Sequence, residues 1–299
     1  MLKKFRLEHP FLFAVCIYLT FFVTMNATGW VCERVCELFV GGPVPASLDP
    51  FNQIISELVP ALVLCLVLFG TGKLGLLKKR GRGFFAGLAI GGACLAYIAW
   101  LAFQQIVIGL TEYGTINIAA PSIALVVSML MVGVTEEIEV RALIGETFLE
   151  HFGTERSGAI KAAALSGLIF GAMHLTNAIN GDLTSTLVQV ATCATSGFLY
   201  GAVYFRGGNI WSIALIHGLN DVAASLATVL FLGGVELEQA AVATESLSIA
   251  SFAYPAFIGI LDIVLALYLL RPRKAGEVKQ SWPEIPADGA KPETLGQAA

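Results

Sequence analysis

The chain has 299 residues, of which 56% are hydrophobic and 13% charged, with a formal net charge of −4 and a mean hydropathy of +0.76. Water-soluble domains average about 25% charged residues, so this composition excludes an ordinary soluble globular protein and points to a lipid bilayer as the solvent. The basic residues flank apolar runs and form no separate patch, so nothing in the chain suggests a nucleic-acid partner.

A membrane-spanning helix needs about 20 apolar residues. Eight segments qualify: 10–29, 52–70, 84–110, 118–149, 159–180, 186–205, 209–232 and 248–270. The expected fold class is therefore all-α, a polytopic membrane bundle of about eight transmembrane helices. Lys3, Lys4 and Arg6 precede the first apolar run, and no small-x-small cleavage site follows it, so it reads as a retained helix rather than a signal peptide. The connection 29–51 contains VCERVCELFV, a candidate for a short helix on the membrane surface. Its Cys32 and Cys36 lack zinc-type or CxxC spacing, and a disulfide between them is not favoured. Glu57 sits near the outer end of the second segment and reads as an interfacial residue. Lys73, Lys78, Lys79, Arg80 and Arg82 follow that segment, Arg156 precedes the fifth, Arg206 precedes the seventh, and Arg271, Arg273 and Lys274 follow the eighth. The alternate connections are mainly acidic, with Glu33, Glu37, Asp49, Glu112, Asp182, Glu236, Glu238 and Glu245 against the single base Arg34. By the positive-inside rule the basic clusters are cytoplasmic flanks, and both termini lie in the cytoplasm of a cell with this protein in its plasma membrane.

Four parts follow: 1–115 with helices one to three and the outer loop 29–51, a core 116–232, the last helix in 233–274, and a tail 275–299. The tail carries Pro283, Pro286 and Pro292 among charged and small residues and is expected to be disordered. Glycine-rich stretches at 87–93 and 196–202 read as helix-packing surfaces.

Chemistry is expected where ionisable groups fall inside the apolar segments, since each costs roughly 2.5–3.5 kcal/mol at a helix centre. The fourth segment holds Glu136, Glu137, Glu139 and Arg141, so these charges must face a polar cavity, pair with each other, or lie near the cytoplasmic interface. Glu137 and Arg141 are four apart and share a face, leaving Glu136 about 100° around the helix. The fifth segment holds Phe170 and His174; the seventh holds His217, Asn220 and Asp221. At a rise of 1.5 Å per residue the glutamates lie about 20 Å from the inner end of their helix, His174 about 22 Å and His217 with Asp221 about 12–18 Å. The three sets can meet in one layer. Phe170 reads as packing beside His174, Arg141 as at least a structural counter-charge, and Glu139 as a groove or interface residue. Trp211 reads as an ordinary interfacial aromatic, and Asp262 in the last segment has no evident partner.

The ordered trio Glu136-Glu137-x-x-x-Arg141, Phe170-x-x-x-His174 and His217-x-x-x-Asp221 resembles the CAAX-protease and bacteriocin-processing membrane proteases, which include the type II CAAX prenyl endopeptidases. The resemblance covers about the middle third of the chain, and each motif alone is weak. Two positions depart from the pattern. Ala142 follows the arginine where glycine is common, and Asp221 ends the last motif where asparagine is common, with Asn220 one residue earlier. The pattern does not choose between Asn220 and Asp221.

The resemblance implies intramembrane hydrolysis of a peptide bond in a membrane-embedded or lipidated peptide or protein. On that reading the catalytic set is Glu136, Glu137, Arg141, His174, His217, Asn220 and Asp221. Glu136 activates water with His174, Arg141 holds Glu137, and His217 with Asn220 or Asp221 stabilises the oxyanion. Cofactor use stays open between none and a divalent metal such as zinc. Glu136, His174 and His217 are the candidate ligands, the chain has no HExxH, and the metal-free route is preferred. Two other classes compete: a proton-coupled transporter, since buried Glu and His also relay protons, and a non-catalytic immunity or scaffold protein with the same fold.

Overall fold

The computed structural model describes residues 1–79, 81–179, 181–235 and 249–289. Arg80 and the loop acids Glu236, Glu238 and Glu245 lie outside the described residues. The chain is an all-α, multi-pass membrane bundle. Its helices are α1 (Leu2–Glu8), α2 (Pro10–Val40), α3 (Asp49–Gly70), α4 (Phe84–Ile90), α5 (Gly92–Glu112), α6 (Ala120–Glu137), α7 (Glu146–Phe152), α8 (Arg156–Met173), α9 (Leu183–Gly207), α10 (Ile210–Ala224), α11 (Leu226–Phe231), α12 (Ile249–Leu269) and α13 (Ala275–Ser281). Among the described residues six helices are long and apolar enough to cross a membrane, and all eight predicted segments are helical. The two that miss that standard on length or polarity are α6 and α10, the helices that carry the charged motifs.

Several boundaries depart from the sequence reading, each for a local reason. VCERVCELFV is no separate surface helix: α2 runs unbroken through it because nothing interrupts the helix before Gly41, which ends it in the left-handed conformation at φ 73°. At 31 residues α2 is about 46 Å long, beyond the hydrocarbon thickness of about 30 Å. All six cysteines are free thiols, Cys32 and Cys36 among them. The third segment breaks at Gly91 into α4 and α5, and a side chain there would collide with Ile216 of α10. The fourth segment does not stop at its charges. It continues from α6 into α7 through a π-helical stretch, Ile138–Gly145, in which Glu146 N bonds Arg141 O. All eight residues of that stretch are buried, and π-turns of this kind occur frequently at functional sites.

The site is positioned by two close helix crossings. A Cβ on Gly133 of α6 would lie 2.5 Å from Gly218 N and 2.8 Å from Ala214 O, so α6 and α10 touch backbone to backbone. A Cβ on Gly167 of α8 would likewise meet Phe198 N at 2.5 Å, and one on Gly197 of α9 would meet Gly167 Cα at 2.9 Å. Small residues permit such approach in membranes, where dispersion contacts replace the hydrophobic effect between helices. The α8–α9 and α6–α10 pairs are the most broadly packed in the bundle.

At one end of the bundle the basic residues do more than flank helices. Arg6 is fully buried, with Nη1 2.9 Å from Glu146 Oε2 and Nη2 against Glu150, and Lys73 pairs with the same two glutamates. This network joins α1, the turn after α3, and α7. The tail is a second correction. Over 275–289 it is not disordered: α13 forms, and Trp282 is fully buried with Nε1 donating to Phe205 O at 2.9 Å. An indole with its N–H satisfied and its rings against Tyr204 and Phe205 supplies the apolar anchor that the prolines concealed. Residues 290–299 lie outside the described residues. Glu277 fastens the tail to Arg206, 2.6 Å from Nη2, and to Arg82 and Lys274.

Burial alone would raise the Glu277 carboxyl, but hydrogen bonds from Lys274 and Arg206 and the charges of Arg206 and Arg82 hold it down at about 2. A depressed carboxylate stabilises the docked tail above its ordinary value of 4.5 and loses that contribution as pH falls from 4.5 toward about 2. Trp282 fluorescence, in a variant with the other tryptophans replaced by phenylalanine, should shift to the red across that window. Glu277→Gln should flatten the transition. Separately, Gly133→Ala should destabilise the folded protein by about 1–3 kcal/mol through overpacking, measured by thermal unfolding in detergent.

Candidate active site

Three helices from the core bring the predicted residues together. Glu136 lies on the last turn of α6, Glu137 ends it, and Arg141 follows in the π-stretch. His174 stands at the C-terminal end of α8, and His217, Asn220 and Asp221 lie on α10. Glu136, His174, His217, Asn220 and Asp221 all line one cavity of about 300 Å³. The choice between Asn220 and Asp221 dissolves, because both face it.

Beneath the cavity sits a charged clamp. Glu137 and Arg141 are fully buried, with Arg141 Nε 3.1 Å from Glu137 Oε2. The other oxygen of Glu137, Oε1, accepts from His217 Nδ1 at 2.8 Å. One carboxylate thus holds both the arginine of the first motif and the histidine of the third. His217 Nε2 then points toward Glu136 Oε2 at 3.5 Å and Asp221 Oδ2 at 3.6 Å.

His174 is fixed differently. Its Nδ1 lies 2.9 Å from Phe170 O, the carbonyl one turn earlier. A carbonyl can only accept, so Nδ1 carries the hydrogen and Nε2 of the neutral ring is left with its lone pair. Phe170, expected as packing, packs edge-on against both imidazoles, with ring centroids 5.0 Å from His174 and 5.5 Å from His217. The Arg141 guanidinium lies over the Phe170 ring at 5.3 Å.

Two carboxylates differ from their sequence reading. Glu57 does not reach an interface. It is buried in α3, where the Thr135 hydroxyl of α6 donates to its carbonyl at 3.3 Å. Glu139 faces no open groove either: it is fully buried, and neither of its side-chain oxygens has a hydrogen-bond partner among the described residues. Asp262 lines an adjoining cavity of about 370 Å³ between α5, α9, α10 and α12, which shares Cys193, Ser196, Tyr200, Asn220 and Ala224 with the first.

The cavity wall also includes residues that sequence reasoning passed over. Gln53 of α3 and Gln189, Cys193, Ser196 and Tyr200 of α9 face the site. The α9 set falls at spacings of four, three and four, one helical face. That polar stripe in an apolar segment was the available signal. Gln189 accepts from Asn177 Nδ2 at 2.9 Å, which ties α9 to the turn after His174.

For zinc, donors would have to converge. Among the described residues no three His, Cys, Asp or Glu side chains are grouped so as to hold a metal ion. The nitrogens of His217 are already directed at Glu137, Glu136 and Asp221.

Residues 117–223 match the family model described as type II CAAX prenyl endopeptidase Rce1-like. The matched segment is similar to that family over about a third of the chain. It contains all three motifs, the π-stretch and the whole catalytic set expected from the resemblance. No curated protein and no solved structure matches the chain.

Removing Arg141 would strand a buried carboxylate, a change that typically costs about 3–5 kcal/mol. Arg141→Ala should therefore lower stability by that order in denaturant or thermal unfolding. Glu137→Gln/Arg141→Met, which removes both charges, should recover part of the loss.

Proposed function

We propose that the protein is an intramembrane endopeptidase that hydrolyses a peptide bond in a membrane-associated, prenylated protein or peptide, with water activated by Glu136 and His174. The observation that carries this reading is the convergence of Glu136, His174 and His217 on one cavity within the segment that matches the Rce1-like family model. Glu136 accepts a proton from water as the oxygen attacks the substrate carbonyl, and His174 Nε2 orients that water. His217, protonated on Nε2 as well as on the Nδ1 that donates to Glu137, and Asn220 donate to the oxyanion of the tetrahedral intermediate. Collapse breaks the C–N bond, and the proton taken by Glu136 passes to the leaving amine. Asp221 orients His217 from the far side of Nε2. The donor spacing supports a route in which these side chains act on water directly, without a metal.

The gathering of Arg6, Lys73, Arg82, Arg206 and Lys274 at one end of the bundle supports a cytoplasmic location for that end and for both termini, in the plasma membrane. Four functional parts follow on this reading: the N-terminal helices 1–115, the protease core 116–232, the last helix in 233–274 and the tail beyond it.

Purified protein incubated with a fluorogenic farnesylated peptide should release the C-terminal fragment. Glu136→Ala and His174→Ala should each lower kcat by about a hundredfold or more, as expected for loss of acid–base chemistry. A chelator should leave the rate unchanged. Inert wild-type protein across a broad lipidated panel, together with Glu136-dependent solute flux in liposomes, would replace the protease with a carrier.

A further inference from the structure

A second cleft, of about 480 Å³, lies at the basic end of the bundle between α4, α5, α9 and α12. It has two unlike halves. Ile90, Leu265 and Leu269 line its apolar side, and Tyr268 at its edge is 58% exposed. Its mouth holds Arg82, Arg206, Arg271 and Lys274 against a single acid, Glu277. Three of those cations converge on that one carboxylate. Arg271 has no carboxylate partner among the described residues: its Nη1 donates to Tyr268 O at 2.7 Å and its guanidinium stacks on the Tyr268 ring at 3.8 Å.

Four positive charges around one negative charge leave the mouth short of anion, and like charges this close repel strongly beside a low-dielectric interior. A second anion would relieve that imbalance. A soluble phosphate would satisfy the mouth but leave the apolar half unmatched, whereas a lipid carries both parts in one molecule. Basic pockets between membrane helices are recognised sites for anionic headgroups. We propose that this cleft binds an anionic phospholipid, its phosphate between Arg82, Arg271 and Lys274 and an acyl chain against Ile90, Leu265 and Leu269. Binding there would brace α13 and the docked tail through the same cations that hold Glu277. The proposal is independent of the protease reading, since no residue of the catalytic cavity lines the cleft.

The test is native mass spectrometry of the full-length protein from neutral detergent, with phosphatidylglycerol and phosphatidylcholine of identical acyl chains. One phosphatidylglycerol should be retained in preference to phosphatidylcholine by about tenfold or more, as expected when several cations face one headgroup. Arg82→Gln/Arg271→Gln should reduce that preference to near parity while the thermal midpoint stays close to wild type, since Arg206 and Lys274 still hold Glu277. Equal retention of the two lipids by wild-type protein overturns the proposal without reference to any variant. Undiminished preference in the double variant overturns it as well. Glycerol 3-phosphate competing at the same concentrations as phosphatidylglycerol would mark a plain phosphate site and overturn the lipid assignment.

Discussion

The buried pairing of Glu137 with Arg141 and His217 is the constraint on which the rest of the site depends. A lone carboxylate in the interior of a membrane protein is strongly disfavoured, so Glu137 can occupy its place only while both partners are present. Arg141 comes from the π-stretch and His217 from α10, and the clamp therefore fixes two helices relative to each other. What reaches the cavity above it, Glu136 on one side and His217 Nε2 on the other, inherits its geometry from that pairing.

The close crossing of α6 and α10 is the apolar counterpart of the clamp. Gly133 and Gly218 remove side chains where the two helices meet, and the charged residues follow within about a turn. The π-stretch then carries the helix on into α7 with its polar groups buried instead of ending it. At the basic end, Arg6, Lys73, Glu146 and Glu150 pin the first helix to α7. Polar contacts thus hold the bundle at two depths, with glycine-mediated packing between them.

Much of this was legible in the residues. Glu136, Glu137, Arg141, His174 and His217 stood out because ionisable groups are rare in apolar segments, and their depths along three helices could meet in one layer. The Glu137–Arg141 pair followed directly from a spacing of four. Other features were hidden because they depend on partners distant in sequence. Glu57 reads as interfacial only until α6 covers it. Arg6 and Arg206 look like flanking charges until Glu146 and Glu277 are brought to them by folding. Trp282, among prolines and charges, gave no periodic signal, since a single indole anchor has none. The second half of the Glu137 clamp, to His217, joins residues 80 apart and no spacing rule reaches that far.

The backbone contact between α6 and α10 has a mechanical consequence. Two helices joined through glycine have no side-chain cushion along which to slide, so they carry their share of the cavity as one rigid block. Gln53 on α3 and Gln189 on α9 form its other walls with side chains, which can change rotamer without tearing a helix interface. The half of the cavity that holds Glu136 and His217 is thus the stiffer one, and on the proposed reading a substrate would be accommodated by side-chain adjustment in the opposite walls.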